Sequence, residues 1–237
     1  ASPGIQRLQQ VSQQFSALRS QALAEDEQRR TLRERRKKLF QDACRSFEHL
    51  RSTVQDTIVD NTPFAEYEER REQTNLGDQI TISSVTLVAA RLEFAGPRIV
   101  EPERWSGPFE VIACASIELD QTSTHNDYPG RSHSLWYCDA LHEGRFDWFE
   151  LAFMDSPLFG GRQRMEPYAA QPEQISIAFE RVIGTAQLAW PLEQLDRADP
   201  QEFVDRWIGW FAEASNSKLF RPSTIPEKPV ERNWRAG

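Results

Sequence analysis

Two rhythms of apolar residues divide the chain. Leu8, Val11, Phe15, Leu18 and Ala22 recur at alternating spacings of three and four, which lays them along one narrow stripe of an α-helix. Phe40, Ala43, Phe47, Leu50 and Val54 repeat the same spacing. Between the two stripes the seam positions fall on Glu25 and Arg29, and the second stripe lies one residue out of phase with the first. One residue is about 100° of helical rotation, so the two stripes are expected to face different neighbours. No Gly or Pro occurs from Ile5 to Thr62, a run of 58 residues. The expectation is a long N-terminal helix, read either as a coiled coil or as a helical hairpin turning near residues 24–30. The missing turn residues favour one continuous helix of roughly 80 Å at ~1.5 Å per residue. Such a helix would project from a compact domain and need a partner.

After Pro63 the period changes to two. Ile80-Thr81-Ile82 and residues 85–94 read as strands, with a change of phase at Ser83-Ser84 that suggests a bulge or turn. Residues 109–119 alternate cleanly, with Phe109, Val111, Ala113, Ala115, Ile117 and Leu119 on one face. Residues 132–140 and 145–154 form a hairpin closed by Leu141-His142-Glu143-Gly144. Residues 175–183 make another strand, followed by a shorter one reaching Trp190. A helix then begins with Asp199 as N-cap, Pro200 in its first turn and Glu202 completing a capping box, and its apolar face is Phe203, Val204, Trp207, Ile208 and Phe211. The fold class is therefore α+β: an antiparallel sheet of about five to six strands packed with helices. The expected domains are a helical segment 1–62, a sheet domain 63–221 and an extended or disordered tail 222–237.

Charge sharpens the division. The net charge of −8 separates into +3 over residues 1–62 and −11 over the rest. An acidic chain does not coat nucleic acid by bulk charge. No apolar run reaches the ~20 residues that a membrane-crossing helix needs. Cys44, Cys114 and Cys138 match neither a disulfide framework nor zinc spacing, so they are expected as free thiols in a reducing, cytoplasmic setting, with no metal and no cofactor implied. The start at Ala1-Ser2-Pro3-Gly4 carries no secretory signal, and it is what processing, a tag remnant or a piece of a longer protein would leave.

Candidate chemistry concentrates on the hairpin. A four-residue loop sets Tyr137 opposite Trp148, Leu135 opposite Glu150 and Trp136 opposite Phe149. One face then carries Trp136, Cys138, Phe149, Leu151 and Phe153 as core. The other carries His133, Tyr137, Asp139, Trp148 and Glu150, a mixture of aromatic walls and ionisable groups that would suit a ligand groove. The alternative is a second packed layer whose polar groups are satisfied by neighbours. His125, Asp127 and His133 could assemble a metal or general-base site, but Asn-Asp-Tyr-Pro-Gly is what a turn requires on backbone grounds alone. The glycines and arginines of 159–164 lack phosphate-loop spacing, and no GxSxG elbow is present. A basic run on the helix, Arg29, Arg30, Arg33, Arg35, Arg36, Lys37 and Lys38, carries no base-stacking aromatics.

Catalytic residues thus stay unassigned. The leading expectation is a non-catalytic protein-interaction or oligomerisation module, a homodimer or a partner-docking helix, carrying a domain that takes a ligand or peptide in an aromatic groove. The alternatives are a small-molecule enzyme (hydrolase or isomerase) using His133, Tyr137 and Glu150, and binding of nucleic acid or an anionic surface through Arg29, Arg30, Arg33, Arg36 and Lys37. Nucleic acid is disfavoured and membrane insertion is not expected.

Overall fold

The computed structural model describes residues 2–74, 77–105, 107, 109–122, 128–155, 186–195 and 200–220, with the backbone alone for those within 151–194. One helix, α1 (Pro3–Asn61, 59 residues), precedes strands β1 (Glu66–Gln73), β2 (Gln79–Leu87), β3 (Ala90–Ile99), β4 (Val111–Gln121), β5 (Gly130–Cys138), β6 (Asp147–Asp155) and β7 (Ala186–Gln194), and helix α2 (Gln201–Ser215) follows. The strands form one sheet in the order β1-β2-β3-β4-β5-β6-β7, every neighbouring pair antiparallel. The fold is α+β, with a seven-stranded antiparallel sheet among the described residues.

The chain divides into two compact units, Ala1–Gln41 and Asp42–Gly237. The division falls inside α1, because the second apolar stripe of the helix belongs to the core of the second unit. Ala43, Phe47, Leu50, Val54 and Ile58 are all buried. Phe47 meets Phe94 at 6.0 Å and Trp148 at 5.5 Å between ring centroids. Gln55 is fully buried, and its side-chain amide donates to the carbonyls of Ser83 (2.8 Å) and Leu92 (3.1 Å). A buried amide needs such partners, so this pair fixes the last turns of α1 on β2 and β3.

The cross-strand register defines the face these turns cover. Ser83 lies opposite Phe94, Val85 opposite Leu92, Phe94 opposite Ile117, and Leu92 opposite Leu119. Across β4 and β5 the same face continues through Ile117 opposite His133 and Ala115 opposite Leu135. Helix α2 buries Phe203, Val204, Trp207, Phe211 and Ala214, with Trp207 packed 5.0 Å from His133 on that face. Its first helical residue is Gln201, with Pro200 at the cap and no side-chain capping bond. The expected cap, Asp199, lies outside the described residues, as do the expected strand 175–183 and the tail from 222.

Two features differ from the expectation. Strand β1, Glu-Tyr-Glu-Glu-Arg-Arg-Glu-Gln, has no apolar alternation, because it is an edge strand with seven of its eight residues exposed; charge on such an edge discourages pairing with other chains. The chain reverses at Val88-Ala89 and not at Ser83-Ser84, and β2 runs unbroken through both serines, which are buried. Val88 turns with φ 51° and is 86% exposed. A β-branched residue in the left-handed region costs ~1–2 kcal/mol. Val88→Asn, which tolerates that conformation, is therefore expected to raise stability by about 1 kcal/mol, read as a higher urea midpoint with unchanged slope; an unchanged or lower midpoint contradicts a strained turn.

Candidate functional site

The hairpin β5–β6 has the register expected of it: Leu135 pairs with Glu150, Trp136 with Phe149 and Tyr137 with Trp148. The strands stop at Cys138 and Asp147, so the connecting loop is longer than four residues. Asp139 organises that loop, its carboxylate accepting the backbone N–H groups of Glu143 and Gly144 at 2.9 Å each. This is the local bonding that makes Asp a turn residue.

The other four groove candidates are all buried. Trp148 lies under α1: its indole N–H donates to Ser46 Oγ (2.9 Å) and the Ala43 carbonyl (3.2 Å). Tyr137 stacks at a tilt between Trp148 (5.4 Å) and Phe146 (6.2 Å). His133 and Glu150 lie under α2. His133 Nδ1 and Glu150 Oε1 are 2.6 Å apart, and Arg206 grips the same carboxylate with both terminal nitrogens, at 2.7 Å to Oε1 and 2.6 Å to Oε2. Arg206 also donates to Glu202 at 2.9 Å, four residues earlier on α2. The ring of Trp210 lies beneath two guanidinium groups, 4.3 Å from that of Arg131 and 5.2 Å from that of Arg206, and 5.5 Å from the His133 ring. Two helices occupy the space over the hairpin that a ligand would need.

The protonation states follow from this packing. Burial pushes the Glu150 carboxyl up, but the two-pronged Arg206 and the His133 hydrogen bond outweigh it and hold the group at about 2. Burial likewise opposes the charge of Arg206, yet the Glu150 and Glu202 carboxylates raise its pKa further. Burial pulls His133 below its ordinary 6.5, despite the opposing pull of Glu150. At neutral pH the pair is therefore a carboxylate with a neutral imidazole. An ionised carboxylate only accepts, so Nδ1 carries the proton. A general base works best with a pKa near the working pH and a substrate within reach; Glu150 has the opposite properties, and its chemistry here is that of an anchor for α2. Cys138, on the opposite face, is buried and its thiol is pushed well up by desolvation.

An opening does exist at the edge of this layer. Arg45, Ser46, His49, Leu50, Asp147, Trp148 and Leu195 line a pocket of about 240 Å³. Its floor is apolar and its mouth carries charge, with Arg45 paired to Asp42. Of these residues the sequence reasoning singled out Trp148 as a groove candidate. The others come from α1, from the first residue of β6 and from the residue after β7, a junction that no spacing announces.

The second candidate surface lies in the first unit. Leu8 and Phe15 are each 69% exposed and Leu18 is 62% exposed, with Val11 and Leu32 also at the surface. Of the basic-patch candidates, Arg29 reaches Glu25 (3.8 Å) and Asp26 (3.6 Å), and Arg30 reaches Glu27 (3.1 Å). Arg33 and Lys37 are exposed and Arg36 is half-buried. His125, Asp127 and residues 159–164 lie outside the described residues. Among the described residues no group of three or more His, Cys, Asp or Glu is placed to hold a metal ion, and no helix is long and apolar enough to cross a membrane. Comparison with known proteins finds no match to the chain, whether among protein families, curated proteins or solved structures.

The anchor has a pH signature. A carboxyl held at about 2 against an ordinary 4.5 stabilises the fold fully above pH 4.5 and loses that contribution as pH falls toward 2. The contribution is about 3 kcal/mol at ~1.4 kcal/mol per pKa unit. His133, lowered from 6.5, acts in the same direction, costing stability as pH drops below 6.5. Urea unfolding followed from pH 7 to 2 is expected to show this acid limb. Glu150→Gln, which leaves Arg206 buried without its carboxylate, is expected to lower stability at pH 7 by ~3–5 kcal/mol and to flatten the limb below pH 4.5. Parallel acid limbs for the two proteins contradict the assignment.

Proposed function

We propose that the chain is a non-catalytic interaction and oligomerisation module. Residues 3–41 of α1 dock through their apolar stripe to a second copy or a partner protein, and the α+β unit is the folded body that carries them. The observation behind this reading is the exposure of Leu8, Phe15 and Leu18 at heptad spacing on a helix. Large apolar side chains in a contiguous stripe mark an interaction surface, and each one buried on docking contributes ~1.5–3 kcal/mol. A role for the α+β unit in binding a ligand or peptide rests on the pocket at Leu50, Trp148 and Leu195, which has room for an apolar group of side-chain size.

The enzyme reading draws less support, because His133, Tyr137 and Glu150 are covered and the two ionisable members are bonded to each other. Binding of an anionic surface through residues 29–38 is weakened by the local pairing of Arg29 and Arg30 with Glu25, Asp26 and Glu27. Cys44, Cys114 and Cys138 are all free thiols, which suits a reducing compartment such as the cytoplasm.

The triple variant Leu8→Glu/Phe15→Glu/Leu18→Glu tests the reading. Sedimentation of the full chain is expected to show concentration-dependent association, or capture of a partner from the native source, that the variant loses at least tenfold. The unfolding midpoint of the α+β unit is expected to stay the same, since none of the three side chains enters its core. Association and capture unaffected by the three substitutions overturn it.

A further inference from the structure

We infer that the occupant of the exposed stripe is a second copy of this chain, running antiparallel, with the two helices overlapping across residues 4–22. The inference rests on the interaction reading above and specifies its partner and geometry.

Heptad bookkeeping carries the argument. With Leu8, Phe15, Ala22, Arg29 and Arg36 at the a positions, the d positions are Gly4, Val11, Leu18, Glu25 and Leu32. All of Gly4, Leu8, Val11, Phe15, Leu18 and Ala22 lie within one uninterrupted helix and are exposed. The apolar stripe therefore ends at Ala22, and charge enters the seam at Glu25. Any pairing that extends past Ala22 must set Glu25 or Arg29 into the contact.

A parallel pair does this directly. It places Glu25 against Glu25, Arg29 against Arg29 and Arg36 against Arg36 of the second copy. It also brings two basic runs, each net +5 over residues 27–38, alongside one another. Like charges at seam positions specify against that arrangement.

An antiparallel pair sets each a position against a d position. The register that places Leu8 on Leu18 of the second copy also places Val11 on Phe15 and Gly4 on Ala22, and the two-fold axis repeats each layer. Every layer is apolar or small. Sliding by one heptad brings Glu25 onto Leu8 and Arg29 onto Gly4; sliding by two brings Arg29 onto Val11 and Glu25 onto Phe15. Only the first register keeps the seam free of charge while using all four large residues. The flanking positions agree. Arg7 comes beside Gln21 of the second copy, and Arg19 beside Ile5. The near ends of the two basic runs, Arg29 of each copy, lie about 48 Å apart along the axis at ~1.5 Å per residue, well beyond the ~10 Å screening length.

Gln6, Gln13 and Ser20 all occupy f positions on the outer side of the seam, and all are exposed. Nitroxide labels on Gln6→Cys, Gln13→Cys and Ser20→Cys, each in a full-length Cys44→Ser background, report inter-chain distances by double electron–electron resonance. The antiparallel pair gives the shortest distance at position 13. At 6 and 20 it gives longer, matching distances, because the labels there are offset by about 21 Å along the axis. Equal distances at all three positions indicate a parallel pair and overturn the inference, while leaving the interaction reading intact. Monomeric sedimentation with no inter-chain coupling at any position also overturns it, and capture of another protein through the stripe then decides the interaction reading separately.

Discussion

Burial of the second apolar stripe of α1 on the sheet is the contact on which the rest of the structure depends. An antiparallel sheet with Val85, Leu92, Phe94, Ile117, Leu119 and Leu135 on one face cannot leave that face in water, and Ala43, Phe47, Leu50, Val54 and Ile58 supply part of its cover. Gln55 and the indole of Trp148 then turn apolar contact into a fixed position, since each buried polar group has one place where its hydrogen bonds are met. Helix α2 completes the cover with Trp207 and the Arg206–Glu150 pair.

This constraint also explains what the buried polar cluster is for. Glu150, His133 and Arg206 come from two strands and a helix 56 residues further along, and the charges of Glu150 and Arg206 satisfy one another beside a neutral His133. A buried ion pair adds little net stability over an apolar substitute, but losing one partner is costly. Such a pair therefore specifies where α2 docks more than it strengthens the docking. The aromatic and ionisable composition that resembles a ligand groove in the sequence is here a packed layer, with the opening displaced to the Leu50–Trp148–Leu195 junction.

The legible parts of the fold were those written in local period. Alternation in β4 and in the β5–β6 hairpin gave the strands and the Trp148–Tyr137 register, and the three-four spacing separated two helical stripes. Strand β1 was illegible because an edge strand exposed on both faces has no alternation to read. The turn at Val88 was illegible because it uses none of the residues that announce a left-handed conformation. The helix boundary at Pro63 was visible as composition, whereas the compact unit begins at Asp42. At the hairpin, four of the five candidates were legible as a face, while Asp139 belongs to the loop. Arg206 was not, because a partner supplied from another element leaves no mark on the spacing of β5 and β6.

The central claim is that the two stripes of one helix have separate duties: residues 42–61 build the α+β unit and residues 8–22 associate between chains. Amide hydrogen exchange at rising protein concentration separates the two. The account predicts that protection of residues 8–22 increases with concentration while that of residues 42–61 is high and constant. Protection of residues 8–22 that stays the same across a hundredfold range of concentration, in the absence of any added partner, would contradict self-association through the first stripe.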